Sequence, residues 1–273
     1  MIFDVSLPLV VFLITAAVLF LYTKLGQKVK SLLGGREFTT RDTVLLVAAM
    51  GVMITVLGWT IIQIPDLAIM VLFLYAYSMM LFLFTYLVVP KWYLAVLTPA
   101  LFVALFILFR DTYLWTPYLM NLFAIIFAIC ISVYMGGLFS WKTTALFVVL
   151  LTIMDIVQVL ITGFMVESSQ KMIALQLPVM IIVPAFPSEG YTMLGLGDIF
   201  LSGLLSIQTM QKYGKKFGLA SVGTIAIVFL LLETVLINSN VESFPATVFV
   251  ISGWLTALGA RYLHKSRILS VTS

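Results

Sequence analysis

Two aspartates stand where the residues around them suit lipid. Asp155 lies in the stretch LTIMDIVQVL and Asp198 closes the stretch LGLGD, each inside a long apolar run. An ionised carboxylate at membrane depth costs about 2.5 to 3.5 kcal/mol on insertion scales, so such groups are usually buried in a bundle, paired, or functional. Asp155 is ten residues from Met165 and Asp198 seven from Tyr191. In neighbouring antiparallel helices these offsets put them roughly 15 and 10 Å below the same surface, at about 1.5 Å per residue. Such helices can bring the two carboxyl groups together. In a low dielectric the pair cannot easily ionise twice and shares one proton instead. The ionised member then activates a water while the protonated member polarises a carbonyl, as amide hydrolysis requires.

The glycines ahead of Asp198 fit the same chemistry. Gly195 and Gly197 lack side chains, so a helix or a substrate backbone can approach there, although close packing alone would also explain them. Of the eleven acidic residues only Asp155, Asp198 and Glu233 fall inside apolar runs. Glu233 lies near the end of its run, which points to snorkelling or a polar partner rather than catalysis. Gln158 and Asn121 read as hydrogen bonders in helix packing, and His264 as an interfacial residue. No HExxH zinc motif, no histidine placed for a serine or cysteine triad, and no phosphate-binding loop is present. No metal or organic cofactor is expected.

The elements that must carry these residues are membrane helices. Sixty-three per cent of the 273 residues are hydrophobic and only 10% charged, with mean hydropathy +1.19, the composition of an all-α polytopic membrane protein. Nine runs approach the roughly 20 residues that span a bilayer core. They are Pro8–Thr23, Thr43–Ile62, Leu67–Val89, Trp92–Phe109, Tyr113–Met135, Thr143–Met165, Tyr191–Thr209, Phe217–Ile237 and Pro245–Leu263. The runs are continuously apolar rather than alternating, which favours helices over a barrel. Residues 1–273 form a single membrane domain: a six-helix part (1–165), a connecting segment (166–190) and a three-helix part (191–273).

MIFDVS has no basic residue and no small-residue cleavage site follows it, so the first run is expected to remain as a helix rather than be removed. The single Cys130 excludes an intramolecular disulfide. With nine crossings, thirteen of the fifteen basic residues fall on one face, leaving Arg110 and Lys171 opposite. The positive-inside rule then puts the N-terminus outside and the C-terminus in the cytoplasm. The scattered flanking lysines and arginines also account for the net charge of +4, which argues against nucleic acid as a partner. The lipid bilayer is the expected surrounding. The absence of long loops suggests a compact prokaryotic protein of the plasma membrane.

These residues resemble the presenilin and signal peptide peptidase family of GxGD intramembrane aspartyl proteases, and the likeness covers most of the chain. It rests on the nine runs, GLGD at Gly195 to Asp198 in the seventh, Asp155 in the sixth, and FPATV at Phe244 to Val248 opening the ninth. Two departures stand out. The family's Tyr-Asp is Met154-Asp155 here, and its Pro-Ala-Leu is Pro245-Ala246-Thr247. The resemblance implies a presenilin-like bundle with Asp155 and Asp198 as the catalytic pair. It further implies that Gly195, Leu196 and Gly197 shape the site, and that Pro245, Ala246 and Thr247 pack beside it. An external N-terminus is similar to signal peptide peptidases, most closely a prokaryotic (archaeal) homologue. The implied substrates are transmembrane helices or signal peptides, with type II orientation favoured; the oligomeric state is open.

Cleaving a helix requires unwinding it, and something must hold the extended form. The segment LQLPVMIIVPAFPSEG is rich in β-branched residues and broken by Pro178, Pro184 and Pro187. Val179, Met180, Ile181, Ile182 and Val183 read as a candidate edge strand for pairing with unwound substrate, with a short buried or re-entrant connection as the alternative. Other functions stay open. The two aspartates could serve as a relay in a proton-coupled transporter or ion-leak channel. They could also be structural hydrogen bonders in a noncatalytic scaffold, and a prepilin-type peptidase shares GxGD but fits the helix count poorly.

Overall fold

Helices account for most of the described residues because a lipid-embedded backbone must satisfy its polar groups internally. The computed structural model describes residues 3–60, 64–187, 189–239 and 244–271, with side chains to residue 264. Its helices are α1 (Ser6–Leu32), α2 (Thr40–Thr60), α3 (Asp66–Val88), α4 (Trp92–Phe109), α5 (Met120–Leu138), α6 (Trp141–Ile156), α7 (Phe164–Ala174), α8 (Leu196–Tyr213), α9 (Lys215–Asn238) and α10 (Ala246–Val271). A kinked stretch, Leu114–Leu119, with Thr116 extended at φ −110° and ψ 121°, leads into α5, and a short π-helical stretch, Val157–Ile161, extends α6. Among the described residues, eight helices are long and apolar enough to cross a membrane.

The seventh expected run differs from a simple crossing. Its first five residues, Tyr191–Gly195, form a strand, and the helix α8 begins only at Leu196. α8 is not among the eight apolar crossings, because Asp198, Gln208, Gln211 and Lys212 dilute its hydrophobicity. Its position explains why this is tolerated. Twelve of its 18 residues are buried, among them Ser202, Ser206, Gln208 and Thr209, so it meets protein more than lipid and can carry polar groups that find partners inside. Thr15 and Ser202 share a hydrogen bond of 3.0 Å, Gln208 donates to the Phe139 carbonyl at 2.7 Å, and the Trp254 indole donates to Thr209 at 2.8 Å.

Other boundaries moved for local reasons. The first run extends to Leu32 as one helix carrying Lys24, Lys28 and Lys30, because nothing in its sequence breaks it. The sixth run stops short of Met165. Gly163 takes φ 71°, a left-handed conformation that glycine adopts without steric cost, and the chain turns there into α7. α6 starts sharply because Ser140 and Thr143 cap one another's backbone N–H groups. Gly214, at φ 93°, makes the turn between α8 and α9. The expected end of the second run at Ile62, and Ser188 within the connecting segment, lie outside the described residues, as do the side chains of Lys265 and Arg267.

The connecting segment folds into α7 and a β-hairpin. β1 (Met180–Pro184) pairs antiparallel with β2 (Tyr191–Gly195), register Met180↔Gly195 through Pro184↔Tyr191. The hairpin is held from three sides. The Trp115 indole donates to the Gln176 carbonyl at 2.8 Å. Asn121 on α5 donates to the Ile182 carbonyl at 2.6 Å and accepts the Ile182 N–H at 2.9 Å. At the start of the chain, Asp4 accepts from the backbone of Ser6 and Phe186, Val5 donates to the Phe186 carbonyl, and the Ser6 hydroxyl donates to the Pro184 carbonyl. Ile181, Leu194, Leu196 and Ile199 join a central apolar cluster with Phe147, Leu151, Phe229 and Trp254.

Candidate active site

One cavity of about 480 Å³ opens where the hairpin meets the helix ends, and both Asp155 and Asp198 line it. Asp155 sits in the last turn of α6, six residues before Ile161 closes the π-helical extension. Asp198 is the third residue of α8. The antiparallel pairing of their helices is therefore what the spacing anticipates, although Asp198 owes its depth to a strand followed by half a helical turn rather than to seven helical residues. Asp155 is buried, at 3% exposure, and Asp198 half-buried. They stand within each other's electrostatic range.

The residues around the pair divide into those at the cavity and those behind it. Gly195 lines it: a Cβ built there would meet the Asp198 Oδ2 at 3.3 Å, so its missing side chain leaves room for the carboxylate to fold back over the helix start. Pro245 and Ala246 also line the cavity. Thr247 is buried behind, its hydroxyl beside the Asp155 carboxylate but without a well-aligned hydrogen bond. Leu196 packs into the central cluster instead, and Gly197 is exposed with no atom within 4 Å of its Cβ direction. Met154, where the resemblance would put a tyrosine, packs against Gly51 of α2. One turn from Asp155, Gln158 donates to the Thr55 hydroxyl at 2.8 Å and so ties α6 to α2.

The strand residues require a correction. The stretch from Met180 to Val183 is a strand, but it does not offer a free edge: β2 covers one side and Asn121 takes both backbone groups of Ile182 on the other. Val179 lies just before the strand, its carbonyl bonded to the Leu196 N–H at 3.2 Å. Because Ile182 spends its N–H and C=O on Asn121, the Ile182↔Met193 pair is the non-hydrogen-bonded one of the ladder. Met193 and Gly195 therefore direct their backbone groups away from β1. Thr192, Met193, Leu194 and Gly195 all line the cavity. Among the described residues the open edge beside the aspartates belongs to β2, at the Met193 backbone and the Gly195 N–H. Sequence patterning missed it because Tyr191–Gly195 carries two glycine-flanked positions and little β-branching, so it reads as the start of a helix.

Of the two sequence readings of Glu233, a snorkelling residue or one with a polar partner, the first does not hold. Glu233 does not snorkel to a surface. It is 7% exposed and lines the same cavity as the two aspartates. The cue was available, a carboxylate within an apolar run, but its five-residue offset from the end of α9 looked shallow until the ring of helix ends above it was known. His264 is exposed at the other end of α10. Among the described residues no three histidine, cysteine or acidic groups converge as metal ligands. Compared with models of known protein families and with curated proteins, the chain matches none.

Proposed function

We propose that this protein is an intramembrane aspartyl endopeptidase of the presenilin and signal peptide peptidase kind, with α8 as the central one of nine crossings. The observation that carries the reading is the opening of Asp155 and Asp198, from antiparallel helices, into one cavity beside the free edge of β2. Asp155 and Asp198 share a proton. The ionised carboxylate draws a proton from a water as it attacks the scissile carbonyl, the protonated one hydrogen-bonds to the carbonyl oxygen, and the leaving amine collects a proton as the C–N bond breaks. A helical substrate unwinds to expose its carbonyl, and its freed N–H and C=O groups pair with the N–H and C=O of Met193 and with the Gly195 N–H along β2, the Gly195 C=O being used by the first turn of α8. No cofactor is required by this chemistry.

The distribution of basic residues supports an external N-terminus and a cytoplasmic C-terminus, in a prokaryotic plasma membrane. The end of the bundle that holds the cavity is then the outer one. Type II segments, including remnant signal peptides, enter with their C-terminal side toward it. The competing reading as a proton-coupled transporter or leak channel draws on Ser202, Ser206 and Thr209, which continue down α8 from Asp198. The hydroxyls of Ser202 and Thr209 are already engaged, by Thr15 and by the Leu205 carbonyl and Trp254.

The test is cleavage of a reconstituted type II signal peptide by the wild type, Asp155→Asn and Asp198→Asn, with products read by mass spectrometry and folding checked by thermal melting. Wild type cuts within the membrane segment, and each folded variant loses at least about a hundredfold in rate, the lower range for a lost acid or base. Cleavage that persists in both variants refutes the dyad; proton flux through a wild type that cuts nothing favours the relay. A second variant, Met193→Pro, removes one N–H from the free edge of β2 without touching the ladder to β1. Its cleavage rate falls at least tenfold while its melting temperature stays within a few degrees.

A further inference from the structure

Among the described residues the cavity holds three carboxylates and no basic side chain. Glu233 faces it together with Asp155 and Asp198, and no lysine, arginine or histidine is among its lining residues. The ion pairs among the described residues, Lys30–Glu37, Arg110–Asp111 and Lys171–Asp66, have no member there. Glu233 Oε2 is enclosed by protein without a hydrogen-bond partner. Behind it stands Asp4, 1% exposed, whose Oδ1 is used by the Ser6 and Phe186 N–H groups while Oδ2 is likewise buried and unpartnered. Asp4 lies within electrostatic range of Glu233. A buried carboxylate without a partner is costly, and a like charge next to it makes it more so. A proteolytic dyad needs two carboxylates, so the third is not accounted for by the reaction.

We propose that Glu233, backed by Asp4, is a specificity subsite that accepts the basic side chain of a lysine or arginine from the substrate. This rests on the endopeptidase reading of the same cavity. The missing countercharge is then supplied by the substrate itself. Among the described residues no three acids converge on one point as metal ligands would, and a cation on a flexible arm reaches Glu233 without needing such a cluster. The walls near Glu233 suit such an arm: Phe229, Leu236 and Phe244 also line the cavity and would cover the aliphatic stem while the charged head reaches the carboxylate. Glu233 is five residues from the end of α9 at Asn238, on the side of the cavity toward the helix ends. For a type II substrate this is the side that receives residues C-terminal to the cleaved bond. A negative group at that place, including the free carboxylate of a signal peptide trimmed too close, is repelled by the Asp4 and Glu233 pair. The preferred substrates are thus transmembrane segments with a basic residue a few positions after the scissile bond.

The experiment is a substrate scan with the full-length reconstituted protein. Lysine, methionine and glutamate are placed in turn at the second to sixth positions after the cleavage site, and kcat/KM is measured for each peptide. At one position at least, lysine exceeds methionine by about tenfold and glutamate falls below both. In Glu233→Gln the lysine to methionine ratio at that position drops to about one, and in Glu233→Lys glutamate becomes the better substrate. A wild type that cuts the methionine peptides but shows no lysine preference at any position overturns the subsite and leaves the peptidase reading standing. A lysine preference that survives in folded Glu233→Gln overturns it as well. Failure of a folded wild type to cut any peptide removes both readings together.

Discussion

The two walls of the cavity are built differently. Asp198 stands on α8, of whose 18 residues twelve are buried, wedged between α1, α5, α9 and α10. Asp155 stands near the end of α6, which loosens into a π-helical stretch, breaks at Gly163, and packs mainly on α2, with smaller contacts to α8 and α10. Of α2's 21 residues only Thr43, Val47 and Gly58 are buried. Asp198, itself half-buried, thus stands on the most buried helix of the molecule, whereas Asp155, itself buried, stands on a helix end whose main neighbour, α2, faces mostly outward. A pair that must close on an incoming substrate strand gains from this asymmetry: one group defines the position, the other can adjust to it. The proposed site therefore combines a rigid reference with a compliant partner, as low local packing near a binding segment generally permits.

Matched glycine substitutions test that contrast most strongly. At Gly203 in α8 a Cβ would lie 2.8 Å from Ser132 Oγ and 2.9 Å from its Cβ, with Val18 3.3 Å away. Gly203→Val overpacks the rigid wall and is expected to cost about 1 to 3 kcal/mol, read as a lower melting temperature with cleavage lost in proportion to the unfolded fraction. At Gly58 in α2 a Cβ would lie 2.4 Å from Phe164 Cβ. Gly58→Val pushes α7 outward instead, because few contacts oppose the movement. Its melting temperature drops less than that of Gly203→Val, yet its cleavage rate changes severalfold. Equal melting shifts in the two variants would abolish the distinction between the walls.

The smallest effect sharpens the comparison at a single bond. Gln158→Leu removes the hydrogen bonds to Thr55 and to the Gly51 carbonyl that tie α6 to α2. Interhelical bonds of this kind contribute about 0.6 kcal/mol on average in membrane proteins, so melting moves little. Cleavage should respond more than stability does, since the bond lies one turn from Asp155. A variant with full turnover and a lowered melting temperature would mean that α6 is fixed by other contacts.

The helical character of the chain was legible, and so were the bounds of three of its helices. α4 begins and ends where its apolar run does, and α3 and α9 differ from theirs by one or two residues, because proline, charge and loop polarity punctuate those runs. The seventh run was misread for the opposite reason. Its apolar residues satisfy both a strand and a buried helix, and periodicity alone does not separate the two over so short a length. The hairpin forms because Asn121, Trp115 and Asp4, from distant parts of the chain, meet the backbone groups that a helix would otherwise have used.

What the sequence by itself determined is the membrane class and the candidacy of Asp155 and Asp198, since a charged group in an apolar run is a local anomaly that composition exposes. What only tertiary structure decided is which edge of the hairpin is open and which third carboxylate joins the cavity. Both depend on contacts between residues far apart in the chain. Asn121 closes β1 from 61 positions away, and Asp4 meets the turn after β1 from 182. Whether a buried group such as Glu233 faces lipid, protein or a cavity is set by what stands opposite it, and that neighbour is not written in the residues on either side.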